Sequence, residues 1–400
     1  MPEQLRFMLI ATSLVMLMTP GLAFFYGGLV GRKNVLTIMI QSFVSMGITT
    51  VLWFIVGYSM CFSGTGGIIG NLQNAFLNGI DVNSVFGNPQ IPLYVFIAYQ
   101  MMFAIITPAL ITGAFTNRVR FGAYLFFLVL WLLLVYFPMV HMVWGGGLLQ
   151  KWGVLDFAGG IVVHNIAGMA ALASVVFVGK RLFPDKGPHS IPLVALGTGL
   201  LWFGWYGFNA GSELAVNGVT AVAFLNTDIA ASFAAIVWLI VAWIIEKKPK
   251  FIGLLTGAVA GLATITPAAG YVTPASAVII GCMAGVVCYF AVSLKNRLKL
   301  DDALDVWGVH GVGGFIGIIL LGFFADLSVN AAGSNGLLLG NVNFFLKETA
   351  AVLFSSIYAF GMSFVMLWLI NKFTPVKVSI QEEENGLDAA LHGENAYEMI

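Results

Sequence analysis

Long apolar blocks separated by short polar joints run along nearly the whole chain. Eleven stand out: 7–30, 35–61, 91–115, 121–144, 157–178, 190–211, 219–245, 251–266, 274–294, 303–325 and 347–371. A membrane crossing takes about 20 apolar residues, so each block predicts a transmembrane helix, with 251–266 the shortest. The first block is too long for the apolar part of a signal peptide, and its basic flank, Arg32-Lys33, follows it. It is expected to stay as a helix, with Met1 opening the mature chain. The polar stretches near 62–90 and 326–346 are rich in Gly and Asn, and a tail over 373–400 carries Glu382, Glu383, Glu384, Asp388, Glu394 and Glu398.

Composition sharpens this into a class. Hydrophobic residues make up 59% and charged residues 9% of the chain, and mean hydropathy is +0.94. A soluble domain carries about 25% charged residues. The expected fold is therefore an all-α polytopic membrane protein, with a membrane domain over 1–372 and a cytoplasmic tail over 373–400. Net charge is zero and no basic motif is present, so nucleic acid is not an expected partner; lipid is. Cys61, Cys282 and Cys288 lie in or beside apolar blocks and are odd in number, which suits core packing better than a disulfide or zinc site.

The basic residues orient the chain. Eleven crossings place Arg32, Lys33, Arg118, Arg120, Lys180, Arg181, Lys186, Lys247, Lys248, Lys250, Lys295, Arg297, Lys299, Lys372 and Lys377 on one side, 15 of 18; Arg6, Lys151 and Lys347 fall on the other. The positive-inside rule makes the first side cytoplasmic. The N-terminus is then outside, the C-terminus inside, and the expected location is the cell membrane. Glycine pairs four apart, Gly207/Gly211, Gly253/Gly257, Gly257/Gly261, Gly281/Gly285 and Gly313/Gly317, predict close helix approach.

Two histidines break the apolar pattern. His164 in DFAGGIVVHNIAG and His310 in DVWGVHGVGG each lie about 7 residues into a block, about 10 Å deep from opposite faces of a core about 30 Å thick. Both fall in the middle third of the membrane and could meet. Blocks five and ten close two five-helix halves of opposite topology, the arrangement of an inverted repeat with its site at midplane. The echo in sequence is weak, since Asp156 precedes His164 by eight residues and Asp305 precedes His310 by five. Each aspartate reads as a helix N-cap, and Asp156 adds negative potential at the outer mouth. An intramembrane histidine can be structural, but two at matched depth favour a pore or relay. No thiolate or carboxylate companions suggest a metal. His141, His189 and His392 read as interfacial or solvated. Trp144 and Ser212 lie at outer helix ends, where an indole face can hold a cation. Tyr99 and Phe103 share a helical face, and Phe208 lies one turn before Ser212. Such aromatic pairs either pack or, stacked in a pore, exclude water.

These residues belong to longer runs. TPGLAFFYGGLV (19–30), HMVWGGGLL (141–149), DFAGGIVVHNIAG (156–168), GWYGFNAGS (204–212), TPAAGYV (266–272), DVWGVHGVGG (305–314) and GLDAALHGENAY (386–397) together resemble the ammonium transporter (Amt/Mep/Rh) family, in its prokaryotic Amt branch. The resemblance spans essentially the whole chain. It implies a homotrimer with one pore per subunit and eleven helices in two inverted five-helix halves plus a final helix. It implies that Trp144, Ser212 and Tyr99 line an outer ammonium site, that Phe103 and Phe208 form a stacked gate, and that His164 and His310 line the pore with Trp205 in its wall. Asp156 matches the family's aspartate near the outer site. Tyr99 stands where phenylalanine is frequent. A PII-type signal protein docking on the cytoplasmic face is a further expectation, and no cofactor or metal is expected.

The chemistry suits these residue types. Ammonium matches potassium in size and charge but offers N–H donors and a removable proton. Serine and tyrosine hydroxyls accept N–H bonds; an indole face holds the charge. A neutral ammonia molecule avoids most of the cost of a charge at the bilayer centre, and neutral imidazole offers it one donor and one acceptor. The expected function is recruitment and deprotonation of ammonium (with methylammonium as an analogue) and conduction of ammonia, either alone or with a separately relayed proton. The competing readings are an ammonium sensor acting through a cytoplasmic partner and a neutral-solute channel. A membrane enzyme lacks any nucleophile–base set.

Overall fold

The computed structural model describes residues 2–397; Met1 and Glu398 lie outside the described residues. Among the described residues ten helices are long and apolar enough to cross a membrane, from Glu3–Leu29 to Val342–Phe373, and Phe251–Ile265 is a shorter apolar helix between them. Every apolar block read from the sequence is thus a helix. The last begins at Val342, five residues ahead of the expected start, because Asn341 caps it by accepting from Phe344 N at 3.0 Å. The loop over 62–90 closes on a two-stranded hairpin, Val85–Phe86 with Ile91–Pro92.

Large apolar side chains such as Ile10, Phe54, Ile244, Ile357 and Phe373 face outward. Water would not tolerate such a belt; lipid does. Leu93–Phe115 is instead almost wholly interior, and the core gathers around it. Glu3–Leu29 packs against Ile191–Glu213, and Gly218–Glu246 packs against Phe251–Ile265 and Pro274–Arg297. Gly207/Gly211, Gly253/Gly257, Gly257/Gly261 and Gly281/Gly285 lie at these contacts, and Gly313/Gly317 faces Thr264 of Phe251–Ile265. A Cβ on Gly261 or Gly281 would press on the carbonyl of Ala230, at 2.5 and 2.6 Å.

The two histidine segments cross at the centre. Each begins with a π-helical turn, Gly160–Asn165 and Trp307–Gly311, a local widening that often marks functional sites. Where they cross, a Cβ on Gly168 would collide with the backbone of Gly311, and one on Gly314 would lie 2.7 Å from Asn165 N. Glycine at both points lets the two backbones touch.

The tail is bound rather than loose. Val119 and Lys377 form a bridge, and Arg120 N donates to Val376 O at 2.9 Å. Hydrogen bonds with Ser379, and to a lesser degree the charge of Arg120 at 3.1 Å, hold the Glu382 carboxyl below its ordinary range. The Asp388 carboxylate accepts from Leu36 N and Thr37 N at 3.0 and 2.8 Å, and so caps the second apolar helix from 351 residues away. His189 and His392, expected to be solvated, take part in this docking. His189 Nε2 lies 2.9 Å from the Tyr397 hydroxyl, and His392 stands edge-on to Phe121.

Candidate functional site

From one end the site starts with Trp144, Tyr99 and Ser212. The indole Nε1–H of Trp144 donates to the carbonyl of Asp156 at 2.8 Å, which fixes the ring's tilt. The Tyr99 hydroxyl lies 2.9 Å from the carbonyls of Gly207 and Phe208 and 3.2 Å from Ser212 Oγ. Ser212 Oγ in turn lies 2.8 Å from the Phe208 carbonyl. With two carbonyls competing for its single proton, the Tyr99 hydroxyl keeps a lone pair toward Ser212.

Next come the stacked phenylalanines. Phe103 and Phe208 lie 4.2 Å apart at 28°, with Trp144 edge-on to Phe103 at 5.9 Å. Both phenylalanines are buried, so no open passage leads inward here. Beyond Phe208 stand the imidazoles. His164 stacks on Trp205 at 5.4 Å and on His310 at 5.3 Å, the imidazole Nδ1 atoms 3.3 Å apart. In that contact one Nδ1 donates and the other accepts. His164 Nε2 is buried with no hydrogen-bond partner among the described residues. Trp205 is held by its own bond to Thr266 Oγ1 at 2.9 Å, a positioning residue the sequence reading passed over.

A cavity of about 10 Å³ for the centre of a water-sized molecule lies between His164, His310, Trp205 and Phe208. That is room for about one such molecule. Its other walls are apolar: Leu22, Leu110, Val163, Leu201 and Val259 among them. On the far side of His310 a wider cavity of about 200 Å³ opens among Arg181, Asp185 and Asp305. Arg181 is held there by Asp301 at 2.7 Å. Burial pushes the Asp301 carboxyl up, but the Arg181 bond and the Arg118 charge outweigh it and hold it low.

The column therefore reads hydroxyl and indole, stacked phenyl pair, imidazole pair, polar vestibule. The ammonium transporter family model matches residues 6–397. The chain belongs to the ammonium transporter family. The ammonium transporter of Bacillus subtilis is 46% identical over 394 residues, covering 98% of each chain. The Saccharomyces cerevisiae Mep2 crystal structure superposes with a TM-score of 0.86 at 33% identity, covering 94% of this chain and 87% of that one. A structure described as a sensor Amt protein gives 0.88 at 30% identity, covering 97% of both. Membership makes this chain a multi-pass membrane transport protein rather than an enzyme.

Of the residues singled out from the sequence, Trp144, Ser212, Tyr99, Phe103, Phe208, His164, His310 and Trp205 fall on the column. Asp156 lies at the edge. Its carboxylate accepts from the amides of Gly159, Gly160, Ile161 and Val162, at 2.9, 2.6, 2.8 and 3.2 Å. It caps the start of the His164 segment from three residues ahead of the N-cap position, Gly159. Burial raises its carboxyl to about 6, against the pull of those four amides.

The expectation for Asp305 is corrected. It does not cap the His310 segment; it sits at φ 60° and pairs with Lys295 at 2.6 Å. Asp302 is the cap, accepting from Val306 N and Trp307 N at 3.1 and 2.8 Å. The cap-to-histidine spacing is then eight in both segments, so the echo is stronger than the sequence suggested. His141 is corrected too. It is fully buried, with its ring nitrogens each 2.8 Å from the carbonyls of Cys61 and Gly66. It ties the start of the 62–90 loop to the helix that carries Trp144.

Proposed function

We propose that this chain recruits ammonium at Trp144, Ser212 and Tyr99, strips a proton from it, and conducts ammonia past Phe103 and Phe208 along His164 and His310. The observation that carries the reading is the imidazole pair, 3.3 Å apart, in a cavity with room for about one small molecule. A charge placed at the centre of a bilayer costs at least about 2.5–3.5 kcal/mol. Ammonium can leave its charge behind by giving up a proton; potassium cannot. Neutral ammonia then needs one donor and one acceptor, which neutral histidine supplies. His164 Nε2, which has no partner among the described residues, accepts the released proton, and the Nδ1 contact passes one on to His310, a route separate from that of the ammonia.

The same reading takes the protein as a homotrimer in the cell membrane, with eleven crossings in two inverted halves plus a last helix, N-terminus outside and tail inside. A PII-type protein docking on the cytoplasmic face would meet the tail held against Arg120, Leu36 and Thr37. A second reading has one specific support. The likeness to a protein described as a sensor Amt protein favours a sensing role alongside transport. In proteoliposomes, ammonium is expected to evoke current or flux while potassium does not. Equal conduction of the two ions would overturn the selectivity argument. Ammonium binding without any flux would favour the sensor.

A further inference from the structure

Glu348, a carboxylate on the last long helix, has no part in the column described above, yet it is fully buried. Its Oε1 accepts from Leu155 N at 2.7 Å, and its Oε2 is buried with no partner among the described residues. A leucine would fill the same space without an unpaired oxygen. The amide that Glu348 holds belongs to the residue just before Asp156, whose carbonyl takes the Trp144 indole proton at 2.8 Å. On either side, Val154 N donates to Leu149 O at 3.0 Å and Phe157 N to Pro267 O at 3.1 Å. Residues 154–157 are therefore a short strap, tied at each step, that carries the acceptor for Trp144.

We infer that Glu348 is a positioning residue for ammonium recruitment: its carboxyl oxygen anchors Leu155 and thereby sets the place of the Asp156 carbonyl and the tilt of Trp144. The inference rests on the reading that Trp144 helps hold the arriving cation. A wedge of one hydrogen bond acts here on binding. It does not touch the imidazole pair, so the maximal rate is unaffected.

The test measures ammonium-evoked current against ammonium concentration for reconstituted wild type, Glu348→Leu, Glu348→Gln, Trp144→Leu and the Glu348→Leu/Trp144→Leu double variant. Glu348→Leu removes the acceptor and is expected to raise the half-saturating concentration about five- to tenfold at near-normal maximal current. Glu348→Gln keeps an acceptor oxygen and is expected to stay within about twofold of wild type. In the Trp144→Leu background, Glu348→Leu is expected to add nothing. Should Glu348→Leu fail to fold, Glu348→Met carries the same expectation. Unchanged half-saturation in Glu348→Leu overturns the inference. So does loss in Glu348→Gln equal to that in Glu348→Leu, which would mark the carboxyl itself as a proton site. Full additivity in the double variant overturns it as well. If Trp144→Leu alone leaves half-saturation unchanged, the recruitment reading fails first and the inference falls with it.

Discussion

Gly314→Ala tests whether the contact between the two imidazoles matters for conduction. Gly314 lies four residues after His310, on the face that meets the His164 segment. A Cβ there would stand 2.7 Å from Asn165 N and from Gly160 O, and 2.9 Å from His164 Cβ, where ordinary contact begins at 3.4 Å. Two of the three atoms are backbone and cannot rotate away. The segments must part by about 0.7 Å, the shortfall against ordinary contact. The imidazole Nδ1 atoms, 3.3 Å apart, then move to about 4.0 Å, beyond hydrogen-bonding reach. Overpacking costs about 1–3 kcal/mol in stability, and a lost hydrogen bond in the path about 1–1.5 kcal/mol in the barrier, close to a tenfold fall in transport. The assay is ammonium-evoked current on proteoliposomes, with thermal melting in detergent beside it. Gly361→Ala is the control, since a Cβ there meets nothing within 4 Å; it is expected to transport and melt like wild type. Gly314→Ala with wild-type current and an unchanged melting point would refute the reasoning. So would reduced current in a variant whose solved structure keeps the imidazoles in contact.

Other outcomes follow from the same geometry. His164→Ala and His310→Ala are each expected to cut transport or selectivity while the protein remains folded, as read by flux and gel filtration. Tyr99→Phe loses the hydroxyl that lies 3.2 Å from Ser212 Oγ and is expected to raise half-saturation for ammonium a few-fold, about the effect of one hydrogen bond. Asp388→Ala removes the cap on Leu36 and Thr37 and is expected to lower stability by about 1–2 kcal/mol, seen as a fall in melting temperature. Asp302 is raised from 3.8 to about 6, by burial first and by Asp305, against the pull of Lys295 and two amides. The folded state then binds the proton more tightly than the unfolded state. Stability is greatest below the unfolded value and declines as pH rises through about 6. The full decline is on the order of 3 kcal/mol, and Asp302→Asn is expected to flatten it in denaturation midpoints between about pH 4 and about pH 7.

Much of this was legible in the chain. The apolar blocks became helices because nothing else satisfies the backbone in lipid, and His164 and His310 were placed at one depth by counting residues. What the chain concealed were contacts between distant segments. Asp305 looked like the cap because it begins the same kind of run as Asp156, but its backbone turns to φ 60° and its charge goes to Lys295. That leaves Asp302, three residues earlier, to face the helix start. His141 looked interfacial because it lies near a helix end; two carbonyls from the 61–66 loop bury it. Glu348 drew no notice, because a carboxylate at the outer end of a long apolar helix reads as a surface residue. The docking of the acidic tail was hidden because its partners, Arg120, Leu36 and Thr37, lie more than 250 residues away.

The crossing of the two histidine segments supports the reading as inverted halves better than any stretch of sequence does. In each segment a buried aspartate caps the start, a π-helical turn carries the histidine eight residues on, and a glycine follows four residues later. Gly168 presses on Gly311, the residue after His310; Gly314 presses on Asn165, the residue after His164. Exchanging the two segments reproduces the same contact. A twofold relation of this kind brings the imidazoles face to face without any further device, since each ring lies one turn ahead of the glycine that admits the other backbone. The relation breaks at one point. Asn165 bonds Ser355 and Ser356 of the last helix at 2.9 and 3.0 Å, while Gly311 has no side chain to do so. The last helix, which has no counterpart in either half, packs on both segments but, among the described residues, bonds through its side chains only to that of His164 and the strap before it. It holds the His164 segment through Asn165 and the strap before it through Glu348. If recruitment depends on those bonds, the last helix sets the place of Trp144, while His310 is placed by the crossing and by the packing of its segment on Phe251–Ile265, Pro274–Arg297 and the last helix.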